Sequence, residues 1–248
     1  MNAPAARGQH LLAFDTSTDR LSVALERAPD GARFTHGGPG GAQASATLIP
    51  AVQALLAQAG LRLSDLAAIV FGRGPGSFTG LRTACSVAQG LAWGAGVPVL
   101  PVDTLLALAE DARQSVGATR VRALLDARMD EVYHADVAWQ AAAGRWRLQG
   151  AVAVCAPEQL PPLPAGAGPG AGWVLAGNAF TPYGDRLPAA LRGLPRVGAL
   201  PSAAALLDLA PALLAAGAAV PPEQALPLYI RDKVAQTSAE RAAARAGR

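Results

Sequence analysis

The fold is decided by the stretch Ala67-Ala68-Ile69-Val70-Phe71-Gly72-Arg73-Gly74-Pro75-Gly76-Ser77-Phe78-Thr79-Gly80-Leu81-Arg82. Its first five residues are apolar and predict a strand, and a helical pattern begins near Thr79. The glycines between the two allow backbone angles that are closed to residues with a Cβ. Ser77 or Thr79 can cap the helix. The stretch therefore predicts a strand, a glycine loop and a helix in succession.

Two interpretations of this glycine block stay open. It is either a tight strand-to-helix turn packed against another backbone or a binding site for an anion or a partner. The block lacks the Gly-Lys-Ser/Thr ending of a P-loop and the spacing of a dinucleotide loop, although a helix N-terminus behind glycines can hold a phosphate. The site interpretation is favoured by the polar side chains of Arg73, Ser77, Thr79 and Arg82.

Before the block, a continuous apolar run predicts a buried strand at 11–15, and apolar alternation predicts a half-buried strand at 21–25. A short third strand is expected at 33–35. A glycine-rich loop is expected at 36–41. The next pattern predicts a helix from Ser45 to Ala59, capped by Ser45 or Thr47 and ended by Gly60.

The pattern after the block predicts a helix from Thr79 to Trp93 that Gly94 and Gly96 end, and then a strand at 97–100. A helix capped by Asp103 or Thr104 follows and runs through Asp111. The first hundred residues therefore read β-β-β-α-β-α-β, which indicates a mixed sheet flanked by helices.

The second half repeats part of this order, with an apolar strand that ends in an aspartate, as at Asp15, and then a second strand. The predicted strands are 121–126, 131–139, 146–155 and 173–176, with a connector at 157–172. A helix at 202–216 is capped by Ser202. The chain ends in an extended segment at 228–233 and a polar, frayed tail at 238–248.

The composition is that of a folded chain with a mild charge. The 248 residues are 51% hydrophobic and 16% charged, and the net charge is +3. Such a chain can bury a sizeable core, and the small basic surplus does not argue for direct nucleic-acid binding. No signal pattern or uncharged apolar run of membrane length is evident, so a cytoplasmic protein without a membrane partner is expected.

Few residues offer catalytic chemistry. The two cysteines and three histidines lack the spacing of a metal site, so no metal is expected. Asp15 and the hydroxyls of Thr16 and Ser17 could hold a metal-bound phosphate, or they could simply close the hairpin turn. A Gly-x-Ser-x-Gly elbow is not met around Ser77, which disfavours a serine hydrolase. The turn at 126–131 is interpreted as a solvated hairpin.

Several stretches of the chain, from residue 11 to about 235, resemble the TsaB (YeaZ) family of bacterial tRNA threonylcarbamoyladenosine biosynthesis subunits. The stretches are 12–18, 71–82, 88–92, 98–99, 125–133 and 229–235. The resemblance implies an α/β, actin-like ATPase fold of the sugar kinase and heat-shock chaperone type, with two lobes that each hold a mixed sheet flanked by helices. The expected division is a first lobe at 1–103 joined by helix 202–216, a second, divergent lobe at 104–201, and a C-terminal segment and tail at 217–248.

The resemblance also implies a role and partners. The family pairs with its catalytic paralogue TsaD, the ATPase TsaE joins them, and the complex threonylcarbamoylates N6 of the adenosine beside the anticodon in tRNAs that read codons starting with A. A non-catalytic activating subunit is therefore expected, with tRNA met through the complex and a homodimer when the chain is alone. No cofactor is required, and ATP or ADP is expected, if anywhere, at the joint with TsaD.

The resemblance places the pairing surface on the helices at 45–59 and 79–93. The interface residues it implies are Ser45, Leu48, Val52, Leu55, Arg73, Ser77, Phe78, Thr79, Arg82, Ser86, Gln89 and Trp93. The chain departs from the family at Ala44-Ser45-Ala46, where His-Ser/Thr-Gln is frequent. Small residues such as Ala88 permit close helix packing, either with the partner or within the lobe, and Ala88→Glu is predicted to break pairing.

Two rival functions stay open. A self-sufficient nucleotide-dependent transferase or kinase would use a phosphate site formed by Asp15, Thr16, Ser17, Gly74 and Gly76. An intracellular peptidase would need a nucleophile and a base that the sequence does not offer.

Overall fold

The strand, glycines and helix of the deciding stretch lie at the centre of the first of two sheets. A computed structural model describes residues 9–28, 30–164 and 172–231. Its first half contains β1 (Leu11–Asp15), β2 (Arg20–Arg27), β3 (Ala32–Pro39), α1 (Ala44–Ala59), β4 (Ala68–Gly74), α2 (Phe78–Ala95), β5 (Val99–Asp103) and α3 (Thr104–Val116). Its second half contains β6 (Arg120–Arg128), β7 (Glu131–Gln140), β8 (Arg145–Leu148), β9 (Ala153–Cys155), β10 (Trp173–Gly177), α4 (Phe180–Tyr183), α5 (Ala189–Arg192), β11 (Arg196–Gly198) and α6 (Ala203–Ala215).

The two sheets share one topology. The strand order of the first sheet is β3-β2-β1-β4-β5. The strand order of the second sheet, starting from β8, is β8-β7-β6-β10-β11, and β9 also pairs with β7. In each sheet three consecutive strands pair antiparallel and two later strands add in parallel on the other side. This duplication confirms the predicted actin-like fold of two mixed sheets flanked by helices.

The helices and sheets form alternating layers, and strand β1 shows how the sequence builds them. Because successive side chains of a strand point to opposite faces, Leu12 and Phe14 join the core under α1 and α2, whereas Leu11 and Ala13 join a second core. That second core contains α3, α6 and the inner face of the second sheet. A third core covers the outer face of the second sheet. The two halves are therefore packed through one shared helical layer.

Several predicted boundaries are corrected. The glycine-rich loop expected at 36–41 is mostly strand, because β3 pairs with β2 as far as Pro39. Strand β4 continues through Gly74, so the loop before α2 is shorter than expected. Helix α3 continues past Asp111 to Val116, where Gly117 ends it with a φ of 70°. The strand expected at 146–155 is two strands, β8 and β9.

The predicted helix caps are partly wrong. Ser77 caps α2 and Ser202 caps α6 through their side chains, as predicted. Ser45 lies inside α1 and donates its hydroxyl to the Ala42 carbonyl instead, and Thr47 donates to the Gln43 carbonyl. Part of the connector and the tail expected at 238–248 fall outside the described residues.

Candidate functional site

The glycine block packs directly against the turn that follows β1. A Cβ added at Gly72 would lie 1.8 Å from Asp15 Oδ2, and one added at Gly80 would lie 1.9 Å from the Thr16 carbonyl oxygen. A Cβ at Gly76 would lie 2.6 Å from the Ser17 carbonyl oxygen. Of these positions and Gly74, only Gly74 has a positive φ, at 122°. Glycine is therefore required in this block mainly because a side chain would collide with the β1 turn, and not because the backbone adopts unusual dihedral angles.

The polar groups of the β1 turn are bonded to the chain itself. Ser17 donates both its N–H (2.8 Å) and its hydroxyl (2.6 Å) to Asp15 Oδ1. The Thr16 hydroxyl donates to the Gly80 carbonyl at 2.7 Å, and the Ser77 N–H donates to the Ser17 carbonyl at 2.7 Å. Asp15, Thr16 and Ser17 are all buried. These bonds leave little for a phosphate to bind at this turn, so nucleotide binding there stays a prediction that the geometry does not favour.

Asp15 is the one carboxylate in this region with a strongly shifted pKa. Burial raises the pKa of Asp15 from 3.8 to about 6, and the hydrogen bonds from Ser17 oppose the shift. Its Oδ2 has no hydrogen-bond partner and faces Gly72. The folded chain therefore holds the Asp15 proton more tightly than the unfolded chain does.

This shift predicts a pH dependence of stability. The Asp15 contribution is fully present below the unfolded pKa of 3.8 and is lost as the pH rises through about 6. Relative to Asp15→Asn, the wild-type chain should lose about 2 kcal/mol of unfolding free energy between about pH 4.5 and about pH 7.5. Urea unfolding of both chains at the two pH values measures the difference. Parallel pH profiles of the two chains would show that Asp15 has an ordinary pKa.

A cleft lies between the two sheets at the ends of β1 and β6. It has a volume of about 500 Å³ and is lined by residues of both halves, among them Ser17, Phe78, Asp126, Tyr133 and Asn178. Asp126 occupies the position in the second sheet that Asp15 occupies in the first. Each aspartate accepts, through Oδ1, the N–H of the second residue after it, at 2.8 Å. The two aspartates that end the first strand of each half in the sequence therefore occupy equivalent positions in the two sheets.

A C-terminal strap, residues 225–231, crosses this cleft. The Leu228 N–H donates to the Arg73 carbonyl at 2.7 Å, and the Tyr229 ring lies 5.3 Å from that of Phe78. Arg231 reaches the second half, donates to the Ala127 carbonyl at 3.0 Å and pairs with Glu131. The sequence predicted only a short extended segment here. Its contacts with both halves could not be read from local pattern, because they join residues about 100 positions apart.

The turn at 126–131 is more constrained than the predicted solvated hairpin. Arg128, Met129 and Asp130 all have positive φ, between 54° and 61°. Side chains from elsewhere in the chain bond to this turn, since Arg231 donates to the Ala127 carbonyl and Arg186 pairs with Asp130. Three successive left-handed residues without glycine persist only where surrounding contacts fix them.

The outer surface of α1 and α2 is exposed and almost free of charge. None of the 16 residues of α1 is charged, and Arg82 is the only charged residue among the 18 of α2. Trp93 is 70% exposed and Phe78 is 41% exposed. Ser45, Thr79, Arg82 and Ser86 are also exposed, so these predicted interface residues lie on the surface.

Other predicted interface residues do not lie on this surface. Leu48, Val52 and Leu55 are buried in the core beneath α1, because the helix turns its large apolar side chains toward the sheet. They can support the face but cannot contact a partner directly. Ala88 is likewise fully buried, so Ala88→Glu would place a charge in the core and destabilise the lobe itself. That substitution is not a test of pairing.

Two more predicted interface residues hold the chain together. Arg73 forms an ion pair with Asp103 at 2.5 Å, beside the strap. Gln89 donates its side-chain amide to the Ala225 carbonyl at 3.0 Å. The exposed surface that remains is therefore the stripe of α2 at Thr79, Arg82, Ser86, Gly90 and Trp93, together with the outer side of α1.

The histidines, cysteines and acidic residues of the described ranges do not form a metal site. Within residues 9–28, 30–164 and 172–231, no group of three or more histidine, cysteine or acidic side chains could bind a metal ion. His10 accepts a hydrogen bond from the Ala28 N–H through Nδ1, and burial lowers the pKa of His134. Burial raises the pKa of the Cys85 and Cys155 thiols, which disfavours either as a nucleophile. No helix in the same ranges is long and apolar enough to cross a bilayer.

The duplicated sheets and the cleft between them define a protein of the actin-like ATPase fold. A family model described as TsaD, tRNA N6-adenosine threonylcarbamoyltransferase, matches residues 41–183. The Escherichia coli tRNA threonylcarbamoyladenosine biosynthesis protein TsaB is 37% identical over 91% of this chain and 96% of its own. The chain belongs to the TsaB family, within this TsaD-type group.

Two solved structures from Pseudomonas aeruginosa agree with this assignment. YeaZ is 42% identical, with a TM-score of 0.79 over 89% of this chain and 99% of its own. A protein described as similar to the peptidase YeaZ is 44% identical, with a TM-score of 0.81 over 90% of this chain and 100% of its own.

Proposed function

We propose that this chain is the non-catalytic partner of a TsaD subunit in tRNA N6-threonylcarbamoylation. It would pair with TsaD and activate it toward the adenosine beside the anticodon in tRNAs that read A-starting codons. Its membership of a family named for threonylcarbamoyladenosine biosynthesis supports the pathway. The observation that carries the partner role is the exposed, nearly uncharged face of α1 and α2.

This face has the composition of an interface rather than of a solvated surface. An exposed helix normally carries charged residues on its outer side, and surfaces hold about 25–35% charged side chains. Interface centres are instead depleted in charge and enriched in aromatic residues such as tryptophan. Trp93, 70% exposed at the end of α2, fits that description. Small residues beside it, such as Gly90, would let a partner backbone approach closely.

The proposal that the chain is not the catalyst is supported by the burial and internal hydrogen bonding of the polar groups at the β1 turn. Asp15, Thr16 and Ser17 are buried and bond within the chain, and the strap crosses the cleft beside them. A nucleotide-dependent transferase or kinase would need these groups for a phosphate. The isolated chain should accordingly show no saturable ATP binding in a calorimetric titration. Saturable binding that Asp15→Ala removes would favour the enzyme instead.

The proposal includes the assembly states of the chain. Alone, it should form a homodimer through the same α1/α2 face, because an exposed apolar face favours self-association. Added TsaD should replace this homodimer with a mixed complex, which TsaE then joins, and ATP or ADP would sit at the joint with TsaD.

Sedimentation of the chain with and without purified TsaD tests the pairing. A homodimer that converts to a mixed complex at micromolar concentration is the expected result. A chain that stays unchanged in the presence of excess TsaD would contradict the proposed partner role.

A further inference from the structure

We propose that the outer side of strand β8, with Arg145 and Arg147, is a contact surface for the phosphate backbone of tRNA. This inference rests on the proposed function for its choice of tRNA. It places a direct nucleic-acid contact on this chain, in the second half and away from α1 and α2. The mild net charge of +3 gives no sign of it, because the arginines come together only when the sheet forms.

Strand register brings the arginines together. Arg147 lies opposite Ala138 of β7, and Ala138 lies opposite Arg120 of β6. Side chains of directly paired residues lie on the same side of a sheet, so Arg147 and Arg120 share one face, about 10 Å apart across two strand spacings. Arg145 is two residues from Arg147 and lies on that face as well.

The opposite face of β8 explains why these side chains point to solvent. Trp146 lies between the two arginines and is buried in the central core, where its ring packs edge-on against Trp139 at 5.5 Å and its indole N–H donates to Glu110 at 2.9 Å. The tryptophan thus fixes the orientation of β8. Because side chains alternate along a strand, Arg145 and Arg147 must point outward, and both are exposed.

The acidic side chain on this face of β7 is already paired with another arginine. Asp136 is two residues from Ala138 on the same side of β7, and its carboxylate is bound at both oxygens by the fully buried Arg122, each at 2.6 Å. Among the described residues, neither Arg145 nor Arg147 forms an ion pair. Exposed arginines without counter-charges are suited to phosphate oxygens.

The location leaves the surface open in a complex. The outer side of the second sheet is separated from α1 and α2 by both sheets and the central helical layer. A TsaD subunit bound on α1 and α2 would not cover it. The simpler role of arginine on an edge strand is to prevent edge-to-edge sheet pairing. That role predicts no effect on tRNA binding, so binding measurements separate the two.

The test compares tRNA binding by full-length double variants. An unmodified transcript of a tRNA that reads an A-starting codon is titrated with the wild-type chain, with Arg145→Gln/Arg147→Gln and with Arg20→Gln/Arg62→Gln, over a series of salt concentrations. The control pair removes the same charge from exposed positions elsewhere. Equal urea midpoints for the three chains verify that they are folded.

We expect Arg145→Gln/Arg147→Gln to weaken tRNA binding about tenfold at low salt. For this variant, the slope of log affinity against log salt concentration should be shallower than that of the wild-type chain by about 1.5, because two phosphate contacts are lost. The control pair should change the affinity by less than about twofold. The proposal would be overturned if the wild-type chain did not bind tRNA, or if both double variants lost the same affinity for tRNA. It would also be overturned if the wild-type chain bound polyglutamate as tightly as it binds tRNA. TsaD pairing is measured separately on the same variant, which should retain it, so failure of the partner role is distinguishable.

Discussion

Replacing Gly90 by glutamate should abolish pairing with TsaD while the chain stays folded. Gly90 is exposed on the α2 stripe, and an added Cβ would meet nothing within 4 Å. Glutamate is also a better helix former than glycine. In a complex, however, the charge would be buried without a partner, which costs several kcal/mol and corresponds to a loss of at least about 100-fold in affinity. Sedimentation or calorimetry with TsaD measures this loss.

The matched control is Ala190→Glu. Ala190 is an exposed residue of the short helix α5 in the second half, so the substitution adds the same charge far from α1 and α2. It should leave the affinity for TsaD within about twofold of wild type. If Gly90→Glu bound TsaD as tightly as this control, the α2 stripe would not be the pairing surface.

The same substitution at two glycines of α2 should change stability in opposite directions. Gly80→Ala would bring a methyl group to 1.9 Å from the Thr16 carbonyl oxygen, which is backbone and cannot swing away. It should lower the free energy of unfolding by about 3 kcal/mol. Gly90→Ala meets open space and should raise it by about 0.8–1 kcal/mol through helix propensity.

Urea unfolding of the two alanine variants and the wild-type chain measures both effects. Both variants replace a glycine of the same helix by alanine, so most of the difference between their unfolding free energies comes from the contact of Gly80 with the β1 turn. A Gly80→Ala variant as stable as Gly90→Ala would mean that the glycine block does not pack on that turn, and the account of the block would be wrong.

The sequence predicted the first sheet well because its signals are local. The apolar run at 11–15 and the alternating residues at 21–25 identified paired strands, and Gly60 identified the end of α1. The order strand, glycines, helix was also correct. Packing against another backbone was one of the two interpretations of the glycine block, but the sequence did not reveal which residues it packs against. Gly72 and Gly80 are required by contacts with Asp15 and Thr16, which are more than 50 positions away in the chain.

The candidate site was predicted less well than the first sheet. Leu48 and Val52 share helix α1 with exposed Ser45, and a list of helix residues does not say which side faces the sheet. The apolar period of α1 was the signal that could have separated them. The strap and the arginines of β8 depend on long-range pairing that no local pattern encodes.

A transfer assay tests whether the chain activates TsaD without being the catalyst itself. Unmodified tRNA, threonylcarbamoyl-adenylate and ATP are incubated with the chain alone, with TsaD and TsaE alone, and with all three proteins. Product that requires TsaD and increases when this chain is added is the result that we predict. Product formed by this chain alone would contradict the account, and Asp15 would then be the first residue to replace.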